Sequence, residues 1–420
     1  MSTGLPSYEE AAALVAEHAE RWGRLRPAVE RVEAGRAQGR VLAQPLVADK
    51  DQPPFARSTR DGFACRAREV SRHVPLPIAG STRAGGVPEG ALPTGAVWEI
   101  MTGAPVPDGA DAVLMIEHVE TVGGEVRLLP PRTIKAGENI VAQGAQARQG
   151  DELLPAGTVI GPGQVALAAA CGNAALEVFV RPRVAILATG DELVAVRSVP
   201  APGQIRNSNG PMLAALVAAA GGEPWVLPIA RDNAAALEAA IADAAEADLL
   251  LITGGVSAGK FDLVEPALLR AGARFHFTGV RVQPGKPTVF GELPRRSPVN
   301  SASNNLPCFG LAGNPVSSAV TFLLFAEPVL SALGGSREPG PRFALARLAP
   351  PVERTSKAGL TRFLPAHCAF HAPGGEPEVR LVPWQGSGDI AAMARSNCFL
   401  VVPEEGQPLH AGSLVRILLP

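Results

Sequence analysis

Between residue 184 and about residue 333 the chain alternates short apolar runs with Ala- and Leu-rich segments. The runs are VAILAT, PWVLPI, DLLLIT, FHFTGVRV and CFGLAG. The longer segments are NGPMLAALVAAAG, NAAALEAAIADAAE, FDLVEPALLRAG and PVSSAVTFLLFAEPVL. Parallel strands need crossovers long enough to hold a helix, so this alternation predicts a doubly wound parallel sheet. Ligands of such sheets bind outside the carboxyl ends of the strands. Three runs end in Gly-rich turns: TGDEL at 189–193, TGGVSAGKFD at 253–262 and LAGNPVSS at 311–318. Each turn presents backbone N–H groups, and two set carboxylates beside them. That combination suits a phosphate held together with a divalent metal.

The flanking text is different. Ser7, Tyr8, Glu9 and Glu10 open an Ala-rich helix to about Arg24, with a capping-box pattern. From about residue 41 to 181, short apolar runs are broken by Pro and Gly, which predicts a β-rich region. Within it, residues 49–65 and 101–113 carry too many turn formers for strands and read as exposed functional loops. Residues 150–172 read as strands and a short helix. Beyond about residue 335, runs such as RFALARLAP, TRFLPAHCAF, EVRLVPW, CFLVVP and SLVRILL predict a small all-β domain. The expected fold class is multidomain α/β plus β.

The 420 residues carry a net charge of −2 and 5% aromatics, which argues against a nucleic-acid partner. Five scattered cysteines without a C-x-x-C pattern suit reduced thiols. The N-terminus lacks a signal-peptide pattern, and the longest apolar run, 316–330, contains Ser317, Ser318 and Glu327. A cytoplasmic protein with no membrane partner is expected.

The candidate site residues lie in the turns. Thr253, Gly254, Gly255 and Ser257 follow a strongly apolar strand, where paired glycines let the backbone approach a ligand, and Asp262 comes next. Thr189 and Gly190 precede Asp191 and Glu192, of which Glu192 is taken as the inward-facing acid. Asp232 either caps the following helix or serves the site. The turn Pro284-Gly285-Lys286-Pro287 holds one of only five lysines, against thirty-three arginines. A lysine fixed between prolines suits an oxyanion. In the third turn Gly313 precedes Asn314, which reads as a helix cap, and Pro315, which fits the first helical position. Glu192 and Asp262 leave two strand ends as oxygen donors, which suits Mg²⁺. Asp61-Gly62 alone reads as a hairpin turn, and Thr102-Gly103 is equally generic. His367 and His371 lie in strand-like text and read as structural. Neither GxGxxG nor GxxxxGK[ST] occurs.

Taken in order, STRDGFA, MTGAPVPDGAD, KAGENI, ATGDEL, TGGVSAGKFD, QPGKPTVFG, LAGNPVSS and QGSGDI resemble the molybdopterin molybdenumtransferases, the MoeA and gephyrin E-domain family. The resemblance spans nearly the whole chain. It implies an elongated homodimer of four-domain subunits. Those domains are a discontinuous N-terminal domain (1–48 and 139–180), an inserted β-rich domain (49–138), an α/β molybdopterin-binding domain (181–334) and a C-terminal β-barrel-like domain (335–420). It implies an Mg²⁺-dependent transferase that inserts molybdenum from molybdate into adenylylated molybdopterin and releases AMP. Carried over by motif, Asp61 and Thr102 reach the site of the other subunit, and Glu192, Asp232 and Asp262 are pocket carboxylates. Lys286 belongs to the basic turn, Asn314 and Ser317 to the GNPVS turn and Ser387 to the QGS turn. Contacts with the molybdopterin adenylyltransferase and with apo-molybdoenzymes are implied as well.

The chain departs from the family pattern at several places. Arg60 stands for a usual Met, Val141 for an Arg, Gln146 for an acid, Gln283 for a frequent Lys and Ala312 for Pro, while TGG replaces SGG. Two other readings remain beside insertion. The α/β part alone also resembles enzymes of adenylyl transfer, and the departures permit a non-catalytic pterin-binding scaffold.

Overall fold

The computed structural model describes residues 4–25, 28–70, 72–255, 263–295, 304–352, 359–370, 375–405 and 407–420. The chain forms two compact units. One comprises Met1–Ala43, Gly157–Gly161 and Ala175–Pro420; the other comprises Gln44–Ala156 and Pro162–Ala174.

The first unit is organised by a six-stranded sheet. Its order is Glu223–Val226, Arg183–Ala188, Leu249–Thr253, Asn305–Leu311, Val289–Pro294, Arg274–Thr278. The first four strands are parallel. Val289–Pro294 runs antiparallel to both its neighbours. The strand–helix alternation does not predict that strand, because it joins Arg274–Thr278 through the PGKP turn with no helix between them.

Side chains sort by the two-residue period. Val184, Ile186, Leu249, Leu251 and Phe309 face one side, where helix Asn209–Ala219 and the apolar helix Pro315–Leu333 pack. Ala185, Leu187, Leu250, Ile252 and Cys308 face the other, against helices Ala234–Asp243 and Val264–Arg270. Burial on both faces explains why these strands read as continuous apolar runs. Among the described residues, Pro315–Leu333 is the one helix long and apolar enough to cross a membrane, yet 83% of its 18-residue apolar window is buried in the protein. It is a core helix. At its centre Phe322–Ala326 widens to a π turn, where the Glu327 N–H bonds the Phe322 carbonyl. Pro328 follows and has no N–H to offer.

The N-terminal helix Tyr8–Gly23 has the capping box that its sequence predicts. Glu10 N–H donates to Ser7 Oγ at 3.1 Å, and Ser7 N–H donates to Glu10 Oε2 at 2.7 Å. Tyr8, Ala11, Val15, Ala19 and Trp22 form its buried stripe, at helical spacing. The Tyr8 ring sits among Phe325, Phe343 and Phe363, with centroids 6.2, 6.4 and 5.5 Å away. Phe343 and Phe363 belong to the C-terminal barrel. In that barrel Thr361–Ala369, Glu378–Leu381, Phe343–Leu348, Leu414–Leu418 and Cys398–Val402 pair in turn and close through Thr361–Ala369 with Cys398–Val402. Closure leaves no unpaired edge between these strands. Val282–Gln283 pairs with Thr361-Arg362, joining the barrel to the strands of the α/β part.

The second unit carries a six-stranded sheet in the order Ala112–Met115, Gly62–Cys65, Val97–Ile100, Leu76–Thr82, Glu125–Leu128, Val119–Val122. Gly62–Cys65 lies inside the segment read from sequence as a loop, and all four of its residues are buried. Phe63 and Cys65 face one core with Leu114 and Leu128, while Ala64 faces another with Trp98 and Val113. Asp61-Gly62 is therefore the entry to a central strand and not a hairpin tip. Gly62 is required there: its φ is +155°, and a Cβ would lie 1.8 Å from the Leu114 carbonyl oxygen.

Candidate active site

The three Gly-rich turns converge because their strands are neighbours. Ala188 pairs with Thr253, and Thr253 pairs with Leu311. The chain leaves Arg183–Ala188 toward Glu223–Val226 on one side, then returns to Leu249–Thr253 on the other. Strand order thus reverses between the first two turns. Such a switch point opens a crevice at the carboxyl ends, since the flanking helices depart to opposite faces.

Side chains and backbone lock the turns together. The Thr189 N–H donates to the Thr253 carbonyl at 3.0 Å, and the Gly254 N–H to the Leu311 carbonyl at 3.2 Å. Gly254 has φ +101°, and a Cβ there would meet the Thr189 carbonyl oxygen at 2.3 Å, so no other residue fits. Sequence reasoning missed Asn209. Its Nδ2 donates to Thr253 Oγ1 at 2.8 Å and to the Gly313 carbonyl at 2.7 Å, tying the second turn to the third. Its Oδ1 is buried without a hydrogen-bond partner. The signal for it was the Asn-Ser-Asn-Gly text at a helix start, where Asn207 Oδ1 accepts from the Gly210 N–H at 2.9 Å.

The carboxylates cluster at the mouth. Thr189 Oγ1 donates to Asp232 Oδ1 at 2.7 Å, and the Asp232 N–H donates to Asp191 Oδ1 at 3.3 Å. Asp232 does not cap the next helix. Asn233 does, accepting from the Ala236 N–H at 2.9 Å. Asp191, Glu192 and Asp232 are all exposed. The Glu192 carboxylate folds back over Gly190, its oxygens 2.6 and 2.7 Å from where a Cβ would stand. Asp191 therefore joins the acidic mouth alongside Glu192. Ser257 and Asp262 lie outside the described residues.

The third turn and its helix are held from the barrel side. Asn314 makes no side-chain cap, contrary to the sequence expectation. Its Nδ2 donates instead to Ser387 Oγ at 2.8 Å, and the Val316 N–H donates to the Ser387 carbonyl at 3.1 Å. Ser387 thus supplies the cap that Asn314 does not, satisfying one of the helix's open N–H groups. Pro315 takes a first-turn position of this helix, as expected. Ser317 is buried, and its carbonyl accepts from Thr321 Oγ1 at 2.8 Å. The PGKP turn packs against the same helix. Pro284 and Gly285 are buried, and a Cβ on Gly285 would meet Thr321 Cγ2 at 2.3 Å. Thr288 Oγ1 donates to the Gly285 carbonyl at 2.6 Å, and Lys286 stands exposed at the tip.

In the second unit Asp61 and Thr102 are bonded to each other. Asp61 Oδ1 accepts from the Thr102 N–H at 2.7 Å and from its hydroxyl at 2.8 Å. These bonds hold the Asp61 carboxyl below its ordinary pKa, the backbone bond contributing most. Both residues are exposed. Of the two histidines four apart, His367 is exposed on strand Thr361–Ala369, and His371 lies outside the described residues.

The mouth offers hard oxygen donors at exposed strand ends, with no thiolate or imidazole among them. That donor set fits Mg²⁺, which takes one or two carboxylates and fills its other positions with water and phosphate.

Fold and crevice together define an α/β ligand-binding protein of the switch-point class, with β units attached. The profile described as the MoeA N-terminal region (domain I and II) matches residues 6–172. The probable molybdopterin binding domain matches residues 185–332, and the MoeA C-terminal region (domain IV) matches residues 348–419. A protein named molybdopterin molybdenumtransferase from Nostoc sp. (strain PCC 7120) is 34% identical over 402 residues, covering 93% of this chain and 88% of its own length. One of the same name from Bacillus subtilis (strain 168) is 34% identical over 388 residues, covering 90% and 87%. The crystal structure of a molybdopterin biosynthesis MoeA protein from Pyrococcus horikoshii OT3 superposes with a TM-score of 0.79 at 28% identity, covering 99% of this chain and 100% of that one. The chain belongs to the MoeA family of molybdopterin molybdenumtransferases.

Proposed function

We propose that the protein inserts molybdenum from molybdate into adenylylated molybdopterin and releases AMP, in molybdenum cofactor biosynthesis. The observation that carries this reading is family membership along the whole chain, with relatives of that activity's name at 34% identity. The crevice supplies what the reaction needs. Gly254 and Gly255 hold positive φ, so the turn can bring its backbone N–H groups close to a phosphate. Lys286 presents a positive charge from a rigid turn and binds an oxyanion. The dithiolene sulfurs and molybdate oxygens supply the reacting groups. The protein's part is therefore to position them and to neutralise charge.

Glu192 and Asp262 are the proposed holders of Mg²⁺. When bound, it would neutralise the pyrophosphate and polarise the scissile phosphorus. Asp61 and Thr102 of one subunit complete the crevice of its homodimer partner in this reading, and the protein works in the cytoplasm.

The test is AMP release from adenylylated molybdopterin, measured with and without molybdate and with and without EDTA. Release that requires molybdate and stops in EDTA is expected. No release under any condition would overturn the reading, and full release in EDTA would overturn its metal.

A further inference from the structure

We propose that His18, His276 and Glu292 form a binding site for a divalent transition metal of the Zn²⁺ class, which staples the N-terminal helix to the α/β sheet. The three side chains come from helix Tyr8–Gly23 and from strands Arg274–Thr278 and Val289–Pro294. Their donor atoms all lie within 4.8 Å of one another.

A β-bulge lies beside the cluster. The register between the two strands shifts between Phe275 and Phe277. Phe275 packs on the far face of the sheet and Phe277 on the face under the helix. His276, the residue between them, also reaches that face, its ring centroid 3.8 Å from that of His18. Alternation from Phe275 already sends His276 to that face, and the bulge brings Phe277 there as well.

Two features ask for a ligand. His18 Nδ1 and His276 Nε2 are buried and have no hydrogen-bond partner. Buried polar atoms are nearly always paired, and an unpaired one calls for a water or an ion. Glu292 is also buried, at 5% exposure, and its charge is met by Arg21 Nη2 at 2.6 Å. The Arg21 side chain is 52% exposed, so it can swing into solvent and yield the carboxylate.

Two imidazoles and one carboxylate suit Zn²⁺ with one open position, whereas Mg²⁺ takes oxygen ligands. Trp22 and Phe290 wall the cluster, with ring centroids each 5.6 Å from that of His18. Cys308 packs on the opposite face and is not a ligand. Zn–N bonds of about 2.0–2.1 Å place tetrahedral donors well inside the 4.8 Å that bounds the present spacing. The two rings are tilted at 37° to each other, and rotation about their side-chain bonds can bring the nitrogens to one ion.

The test uses the full-length protein, stripped with chelator and saturated with Mg²⁺, then titrated with Zn²⁺ or Co²⁺. One equivalent of Zn²⁺ should bind and raise Tm, and Co²⁺ should give the intense visible bands of a tetrahedral site. His18→Gln and His276→Gln should weaken that equivalent by at least the roughly 10–100-fold that loss of an outer-sphere partner costs. Arg21→Ala should tighten it by removing the competing cation. Wild-type protein that takes up no Zn²⁺, or histidine variants with unchanged affinity and Tm response, would overturn the proposal. Should a variant fail to fold, ¹⁵N shifts of the His18 and His276 rings in the wild type decide. Movement on adding Zn²⁺ supports the site, and unchanged shifts overturn it.

Discussion

One oxygen of Asp61 accepts two hydrogen bonds from one residue, the N–H and the hydroxyl of Thr102, at 2.7 and 2.8 Å. Two motifs forty-one residues apart are thereby fastened into a single acidic feature. Thr102→Val keeps the backbone bond and removes the hydroxyl. The Asp61 pKa should rise part of the way to its ordinary value, because the larger cause remains. NMR titration of the Asp61 carboxyl checks this, and an unchanged midpoint would refute the assignment. Since the folded pKa lies below the unfolded one, the unfolded chain binds more protons in that interval. Whatever Asp61 adds to stability is present above the ordinary carboxylate pKa and is lost as pH falls through the folded value.

Asp61 and the α/β crevice belong, in our proposal, to different subunits of one active site. Inactive Asp61→Asn protein mixed with inactive Asp262→Asn protein should regain part of the AMP-releasing activity, because one of the two shared sites in a heterodimer is intact. Heterodimers that form and stay inactive would exclude a shared site.

Gly62 and Gly103 both have positive φ but different surroundings. A Cβ on Gly62 would clash with Leu114, whereas a Cβ on Gly103 meets nothing within 4 Å. Gly103→Ala should cost about 1–2 kcal/mol, the penalty of a left-handed residue. Gly62→Ala should cost more, on the order of 3 kcal/mol or above, because the central strand must move. Urea midpoints of the two variants rank them, and equal shifts would contradict the clash.

Lys286→Ala should raise the KM for molybdate more than it weakens pterin binding. Loss of a charged hydrogen bond costs about 1.5–3 kcal/mol. The remaining molybdate dependence should also respond less to salt. A variant with normal molybdate dependence and weak pterin binding would assign Lys286 to the ligand's phosphates instead.

All five cysteines are free and buried. Burial pushes the thiols of Cys65, Cys308 and Cys398 up to about 12, and raises those of Cys171 and Cys368 as well. Thiolate is the reactive form, so the native protein should not react with Ellman's reagent at pH 8. Five equivalents should react once it is denatured. Rapid labelling of any native thiol would show that the cores open.

The α/β part was legible from local text, since each of its parallel strands is followed by its own helix and turn. The apolar runs, the capping box at Ser7 and the three Gly-rich turns all express short-range chemistry. The sequence alone also pointed to those turns as the ligand crevice, and to the family through the order of its motifs. Long-range pairing decided the rest. Val289–Pro294 is a strand because of its antiparallel neighbours, and Gly62–Cys65 is one despite its turn-rich surroundings. Asn314 gives up its cap to bond Ser387, seventy-three residues away, and Asn209 joins two turns that lie far apart in the chain. The bulge at His276 has no local signature. Propensity and periodicity act over a few residues. A hydrogen bond or a stacked ring pair between distant residues exists only once packing has chosen which strands and helices are neighbours.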